Sequence, residues 1–213
     1  MTKPLSVINI FLVVAIAVLF LYGLQTIPGD QQVPVHWNVQ GEVDFTLAAR
    51  WALWIGPLEV AIVVTAFLIA KAKLPAEEFE AGLHLTMASI SIALAAGLFV
   101  QTVVTLGANG VELDMMQLAA LFIGYVMLVI GNYLPKSQAN RSAGIRLPWT
   151  LNSDANWTRT HQFAGKAFMF AGILSLAIGL LNPGQQITLL AAILCVAAAI
   201  VVTVFYSYSA REA

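Results

Sequence analysis

The sequence predicts an all-α membrane protein, a six-transmembrane-helix bundle with both termini cytoplasmic. Composition is the first observation behind this prediction: 60% of the 213 residues are hydrophobic and only 10% are charged, against about 45–50% and about 25% in soluble domains. A soluble enzyme or a disordered tail of this size needs more polar surface than such a chain can supply. The net charge of -1 provides no basic field for nucleic acid.

The second observation is the length of the apolar segments, since a helix needs roughly 20 apolar residues to cross a bilayer. The last uncharged stretch, 167–210, is too long for one crossing, and the turn residues Asn182-Pro183-Gly184 divide it. The first segment follows Lys3 as a signal peptide would, but it exceeds the usual apolar region of about 7–15 residues, and we predict a retained helix. The predicted spans are 5–26, 47–70, 82–106, 115–134, 161–181 and 187–208.

The third observation is the distribution of basic residues, which sets the orientation of membrane helices. Nine of the ten Lys and Arg residues fall on one side of the predicted bundle, and only Arg50 falls on the other. This asymmetry predicts that both termini are cytoplasmic. It also places a polar loop at about 27–46 outside the cell and the longest and most basic loop, about 135–160, inside.

The outside loop combines turn residues with polar side chains. Pro34 favours an extended Val33, and Gly41 indicates a turn. Histidine and carboxylate side chains are common metal ligands, but the spacing of His36, Glu42 and Asp44 matches no metal motif. We therefore predict no metal here, and we expect the side chains to hold the shape of the loop. The candidate binding residues of this loop are His36, Trp37, Asn38, Gly41 and Asp44.

The inside loop carries the richest set of candidate binding residues. Pro148 favours an extended Leu147, and Asn152 or Ser153 can cap a helix that continues into the fifth span. Its Trp and Arg residues suit an anchoring belt at the lipid headgroups, whereas its many polar and turn residues favour a loop of fixed shape at the cytoplasmic mouth. The candidates are Asn132, Asn140, Arg141, Gly144, Arg146, Pro148, Trp149, Thr150, Trp157, Arg159, Thr160 and His161.

One acidic residue, Glu59, lies about 12 residues into the predicted second span, close to the bilayer centre at a rise of about 1.5 Å per residue. A carboxylate at this depth is costly and marks a functional site by default. The alternative is a neutral Glu59 that hydrogen-bonds across helices, with Gln101 as the candidate partner. Gly56-Pro57, just before Glu59, can open the helix backbone.

No nucleophile elbow, HExxH motif or P-loop occurs in the sequence. We therefore predict a protein that is not an enzyme, with no catalytic residue and no cofactor.

Two stretches resemble known families. The outside loop, as Pro34-x-His36-Trp37-Asn38-x-x-Gly41-x-x-Asp44, resembles the DUF1648 module. The stretch that resembles the SdpI family signature is Gly131 to Gly165, with Asn140-Arg141, Gly144-Ile145-Arg146-x-Pro148-Trp149-Thr150-Leu151, Trp157 and Thr160-His161. The resemblance implies a DUF1648-like module at 1–70, a connecting third helix at 71–114 and an SdpI-like module at 115–213.

The resemblance also implies a function. It implies an immunity protein of the bacterial inner membrane that gives resistance to a secreted, membrane-active toxic peptide. It further implies a signalling role in which the protein holds a cytoplasmic repressor at the membrane. The expected partners are therefore the lipid bilayer, the toxic peptide and the repressor, with no direct binding of nucleic acid.

Two alternatives stay open at this point. The first is a small proton-coupled transporter or exporter that uses Glu59, and it predicts that Glu59→Gln stops substrate movement while the protein still inserts. The second is a subunit of a larger membrane assembly, and it predicts stable co-purification with a partner.

Overall fold

The structure is a computed structural model that describes residues 7–38, 40–140 and 143–212. Short 3-10 turns follow the fifth and the last helix, at Leu134–Lys136 and Ala210–Glu212. In chain order the other elements are α1 (Val7–Thr26), β1 (Gln32–Trp37), β2 (Val43–Ala48), α2 (Ala49–Ala52), α3 (Ile55–Lys73), α4 (Ala76–Ala108), α5 (Met115–Tyr133), α6 (Pro148–Leu151), α7 (Asp154–Leu181) and α8 (Gln185–Ser209).

The six predicted spans are confirmed, because the described residues contain six helical segments long and apolar enough to cross a membrane. Helix α4 begins at Ala76, ahead of the predicted 82, whereas α7 begins at Asp154, ahead of the predicted span at 161 but directly after the predicted cap at Asn152 or Ser153. Helix ends that lie beyond the apolar segment need no apolar residues, so hydropathy alone sets their start too late. The second span is divided into α2 and α3 by a turn at Leu53 and Trp54.

A two-stranded antiparallel sheet corrects the all-α prediction. Gln32 lies opposite Ala48 and Trp37 opposite Val43, and the register is irregular on both sides of His36. The extended backbone around Val33 is confirmed. Strand β2 was missed because its apolar residues lead directly into the second span, so that hydropathy assigns its end to a helix.

The chain forms two compact units, and α4 contributes to both. The first unit combines the chain up to residue 69 with residues 90–115, and the second combines residues 70–89 with the chain from residue 116. The predicted module boundaries at 70 and 114 stay a prediction. In the first unit, the buried Val33 of β1 packs in a core with Ile27, Leu53 and Val104, and the Gln31 Nε2 donates to the carbonyl oxygen of Ala108 at 2.7 Å.

In the second unit, helices α5 and α7 approach each other through glycines. A Cβ atom added at Gly131 would lie 2.8 Å from the carbonyl oxygen of Gly165, and one added at Gly172 would lie 2.9 Å from that of Gly124. The same contact continues at Gly179, whose Cβ would lie 2.8 Å from a side-chain carbon of α5. Backbones pack this closely in membranes where small residues line the interface. This contact sets the position of α5 relative to α7, the two helices that precede and follow the loop in the chain.

Candidate functional site

The loop site comprises the described residues of 137–161 together with the end of α8. Its backbone follows the predicted pattern: Leu147 is extended, with φ -94° and ψ 155°, and α6 begins at Pro148. Ser153 caps α7, because its hydroxyl accepts a hydrogen bond from the Asn156 N–H at 3.2 Å. Asp154 lies in the first turn of α7, where a carboxylate complements the helix dipole. The predicted helix through Trp157 and His161 is confirmed.

His161 holds the loop against α7. Its Nε2 accepts a hydrogen bond from the backbone N–H of Ile145 at 2.9 Å, and its Nδ1 lies 2.8 Å from the carbonyl oxygen of Trp157. An N–H donor on one nitrogen and a carbonyl on the other require the neutral ring with its proton on Nδ1. The ring stacks on Trp157 at 4.1 Å between centroids, and the Trp157 indole donates to the carbonyl oxygen of Ser137 at 3.2 Å.

Gly144 allows the chain to pass over this ring pair. Its φ is +118°, a conformation that only glycine adopts without strain. A Cβ at this position would lie 2.7 Å from the His161 Nε2 and 2.9 Å from two ring carbons of Trp157. The loop therefore requires glycine at position 144 for two reasons, the positive φ and the absence of a Cβ atom.

Thr150 closes the turn that leads into α6. Its fully buried hydroxyl accepts from the Leu147 N–H at 2.9 Å. The same hydroxyl lies 2.7 Å from the carbonyl oxygen of Ile145 and 2.9 Å from that of Leu147, to which it can donate.

The loop is also tied to the end of α8. The Asn156 amide donates to the Ser207 carbonyl oxygen at 3.1 Å, and the Trp149 indole donates to the Ser207 hydroxyl at 3.0 Å. The Thr160 hydroxyl donates to the Asn156 side-chain oxygen at 3.1 Å. Ser207 could not be predicted from the sequence, because a serine near the end of an apolar span carries no motif that connects it with a loop far earlier in the chain.

Burial divides the candidate residues of the loop site into two groups. The positioning group is buried and comprises the candidates Thr150, Trp157, Thr160 and His161, together with Asn156, which was not among the candidates. The surface group is exposed and comprises Asn132, Arg146, Pro148 and Arg159. Of the remaining candidates, Trp149 is half-buried, and Arg141 lies outside the described residues.

A pocket of about 660 Å³ opens at the surface of the loop site. Asn140 anchors one side, where its side-chain oxygen accepts from the Ala143 N–H at 2.8 Å and its amide donates to the Gln138 carbonyl oxygen at 2.7 Å. The exposed Arg146 supplies a positive charge and a planar set of donors, which suit an acidic partner. The pocket is lined by Ala139, Asn140, Arg146, Leu151 and Asn152.

The hairpin, formed by β1, β2 and their connecting turn, carries the other polar candidates. Asn38 stabilises the turn, because its side-chain oxygen accepts from the N–H groups of Gln40 at 3.0 Å and Glu42 at 2.9 Å. Gly41 has φ +82°, and Trp37 is half-buried. The exposed His36 and Asp44 pair across the strands, with 2.6 Å between Nδ1 and Oδ1. Among the described residues, no three His, Cys, Asp or Glu side chains come together as a metal site.

Glu59 lies near the start of α3, where its carboxylate faces α4. A Cβ added at Gly97 would lie 2.6 Å from the Glu59 Oε2, and one added at Gly56 would lie 2.6 Å from the Gln101 Oε1. No hydrogen bond joins Glu59 to Gln101 among the described residues, and the Gln101 Oε1 is buried without a hydrogen-bond partner there. The alternative of a hydrogen bond between a neutral Glu59 and Gln101 is therefore not among the hydrogen bonds of the described residues.

The fold and the loop site define a multi-pass helical membrane protein with a structured polar loop between its fourth and fifth spans. Within this class, the family model of the SdpI/YfhL protein family matches residues 136–207, which contain most of the loop site and the last two spans. The chain is also 24% identical over 204 residues to the Immunity protein SdpI of Bacillus subtilis (strain 168), and this covers 94% of each chain. The resemblance to the SdpI family is confirmed. No solved structure matches the chain.

Proposed function

We propose that the protein is an immunity protein of the bacterial cytoplasmic membrane, where it gives resistance to a secreted, membrane-active toxic peptide. The observation that carries the proposal is the similarity to an immunity protein over 94% of both chains. The match to the SdpI/YfhL model adds support, because it covers most of the loop site. The nine-to-one distribution of basic residues supports an orientation with both termini in the cytoplasm.

In this orientation the hairpin meets the toxic peptide outside the cell. The exposed pair of His36 and Asp44 offers polar groups for an incoming peptide, whereas Asn38 and Gly41 hold the turn. The loop site then faces the cytoplasm and forms the surface that holds a repressor. Arg146 in its pocket and the exposed Arg159 suit an acidic surface on that protein, because complementary charges favour encounter and register.

The test is survival of a toxin-sensitive bacterium that expresses the chain and is challenged with membrane-active toxic peptides. We expect wild type to protect and the empty vector not to protect. Asp44→Asn is expected to lower protection, because the hairpin loses the carboxylate that pairs with His36. Glu112→Gln is the matched control, since Glu112 is exposed outside the hairpin. Equal protection by both variants would contradict the assigned role of the hairpin.

The signalling role has a separate test. A repressor-controlled reporter is measured with Arg146→Gln and with Lys166→Gln as the control, because both change one exposed charge and only Arg146 lines the pocket. We expect Arg146→Gln to lower induction by toxin and Lys166→Gln to leave it unchanged. Full induction with Arg146→Gln would contradict the assignment of the pocket.

The alternative function is a small proton-coupled transporter or exporter that uses Glu59. The observation that favours it is that Glu59 has no hydrogen-bond or ion-pair partner among the described residues and follows the break between α2 and α3. Its test is substrate movement in vesicles with wild type and Glu59→Gln. Transport without any pH dependence in wild type would contradict it.

A further inference from the structure

The break between α2 and α3 exposes backbone within a membrane span. Pro57 has no N–H group, so it cannot donate to the carbonyl oxygen of Leu53 four residues earlier. Leu53 is only 1% exposed and has helical dihedral angles, φ -61° and ψ -26°, so its carbonyl is directed along the chain towards Gly56 and Pro57, as helical carbonyls are. Free carbonyls at broken helices are tolerated in membranes where they are buried in protein or line a water-filled cavity.

The side chains on this turn and on α4 add further oxygen atoms. Glu59 is three residues after Gly56 on α3, and Gln101 is four residues after Gly97 on α4. A Cβ atom added at either glycine would lie 2.6 Å from the side-chain oxygen of the polar residue on the other helix. Ile16 of α1, which is 2% exposed, closes the same place, with side-chain carbons 3.1 Å and 3.5 Å from those two Cβ positions.

Two of these groups, the Glu59 carboxylate and the Gln101 Oε1, are acceptors that have no donor among the described residues. The Gln101 amide nitrogen donates to the hydroxyl of Thr105 at 3.3 Å, which orients the amide and leaves its Oε1 facing Gly56. Gln101 is 1% exposed and Thr105 is fully buried. Buried carbonyl oxygens without a partner are rare in native proteins, and an unpaired carboxylate in a membrane is costly. A group that is positive or donates hydrogen bonds would satisfy both oxygens at once.

The composition of the set indicates which positive group fits. It contains oxygen atoms and one carboxylate, so a single positive charge balances it in a medium that penalises net charge. Divalent cations are bound mainly by carboxylates, with about 6–8 oxygen ligands around Ca²⁺ and a near-octahedral set around Mg²⁺, and no group of three acidic, His or Cys side chains is present among the described residues. Unwound carbonyls beside side-chain oxygens at a broken membrane helix are the usual ligands of Na⁺ in transporters.

We propose that Glu59, Gln101, Thr105 and the carbonyl of Leu53 form a binding site for a monovalent cation of the Na⁺ type within the first unit. The Glu59 carboxylate supplies the charge, and the Gln101 Oε1 is the neutral ligand. The Thr105 hydroxyl orients Gln101 by accepting from its amide nitrogen. Gly56 and Gly97 provide the space that both side chains occupy. The proposal does not depend on the immunity role, because it follows from these contacts alone.

The test uses the full chain, purified in detergent. Thermal unfolding is followed while NaCl replaces N-methyl-glucamine chloride at constant ionic strength, and binding of radiolabelled Na⁺ is measured in parallel. Specific binding to the folded state raises the melting temperature in a saturable way. We expect the melting temperature of wild type to rise with Na⁺, and we expect no such rise with the organic cation.

Three variants locate the effect, each measured against its own melting temperature without Na⁺. Glu59→Gln and Gln101→Met keep the side-chain volume and remove one ligand, and each is expected to weaken the apparent affinity for Na⁺ by about 10-fold or more, since about 1.4 kcal/mol corresponds to tenfold. Thr102→Val is the matched control, because the Thr102 hydroxyl bonds its own helix at Leu98. We expect this control to bind as wild type does.

Three results would overturn the proposal. The first is an identical response of wild type to Na⁺ and to the organic cation. The second is unchanged Na⁺ binding in Glu59→Gln. The third is an infrared band of a protonated carboxyl group that Glu59→Gln removes and that Na⁺ does not alter, because Glu59 would then hold a proton in place of the cation. Survival of bacteria challenged with toxic peptide is measured separately from Na⁺ binding, so the failure of this proposal and that of the immunity role are distinguishable.

Discussion

Gly144→Ala tests the claim that the loop site has a fixed shape. The added methyl group would meet the His161 Nε2 at 2.7 Å and the ring of Trp157 at 2.9 Å. Trp157 and His161 are both buried on α7, so neither ring can move aside without disturbing the helix. The chain must therefore lift at Gly144, and the hydrogen bond from Ile145 to His161 is then broken.

Two effects, backbone strain and steric overlap, set the free-energy cost of Gly144→Ala. The positive φ of Gly144 costs an alanine about 1–3 kcal/mol, and the steric overlap adds about 1–3 kcal/mol. The overlap alone raises the opened fraction of the loop by roughly 5–140-fold, at about 1.4 kcal/mol per tenfold. Gly184→Ala separates the two terms, because Gly184 has φ +136° and its Cβ would meet no atom within 4 Å.

The assay is limited trypsin cleavage after the exposed Arg146, followed by mass spectrometry at low protease concentration, where cleavage tracks the opened population. We expect Gly144→Ala to be cut at least about 5-fold faster than wild type. Gly184→Ala is expected to be cut at the wild-type rate at Arg146, although its melting temperature falls. An unchanged cleavage rate in Gly144→Ala would refute the reasoning.

Three further predictions follow from the packing. Gly172→Ala is expected to destabilise the protein by about 1–3 kcal/mol, because its Cβ would meet the backbone of α5. Gly82→Ala is the control, because its Cβ would meet no atom within 4 Å, and it is expected to raise the melting temperature slightly. Thermal unfolding in detergent compares the two variants. Asn38→Ala removes the bonds that hold the hairpin turn and is expected to cost about 1–2 kcal/mol locally, seen as faster hydrogen exchange in the turn with unchanged exchange in the helices. Asn156→Ala leaves the Ser207 carbonyl without its donor and is expected to cost about 1–3 kcal/mol, measured by unfolding in detergent; wild-type stability would contradict that bond.

Most of the fold could be predicted because its signals are local. Each span is a run of apolar residues, and Asn182-Pro183-Gly184 separates α7 from α8, with Asn182 in the left-handed conformation at φ 42°. The cap at Ser153 and the extended Leu147 also depend on neighbours in sequence. Strand β2 could not be predicted in this way, because a strand depends on its partner, and here β1 lies across a turn with an irregular register.

The candidate site was predicted as a set of residues but not as an arrangement. The motif that contains Gly144, Thr150 and His161 predicts partner binding, whereas the structure buries Thr150 and His161 in the support of the loop and places the exposed Gly144 directly over the His161 ring. Sequence spacing cannot separate the two roles, because burial depends on how the loop folds against α7 and α8. The same limit applies to Ser207, whose two bonds to the loop site connect residues far apart in the chain.

The most direct test of the central claim is a dose–survival curve for a sensitive bacterium challenged with membrane-active toxic peptides. Cells that express the chain, with its presence in the membrane verified, are compared with cells that carry the empty vector. The proposed immunity role predicts that the curve for one toxic peptide shifts to higher concentration in the expressing cells. Superimposed curves for every such peptide, with the protein correctly inserted, would contradict it.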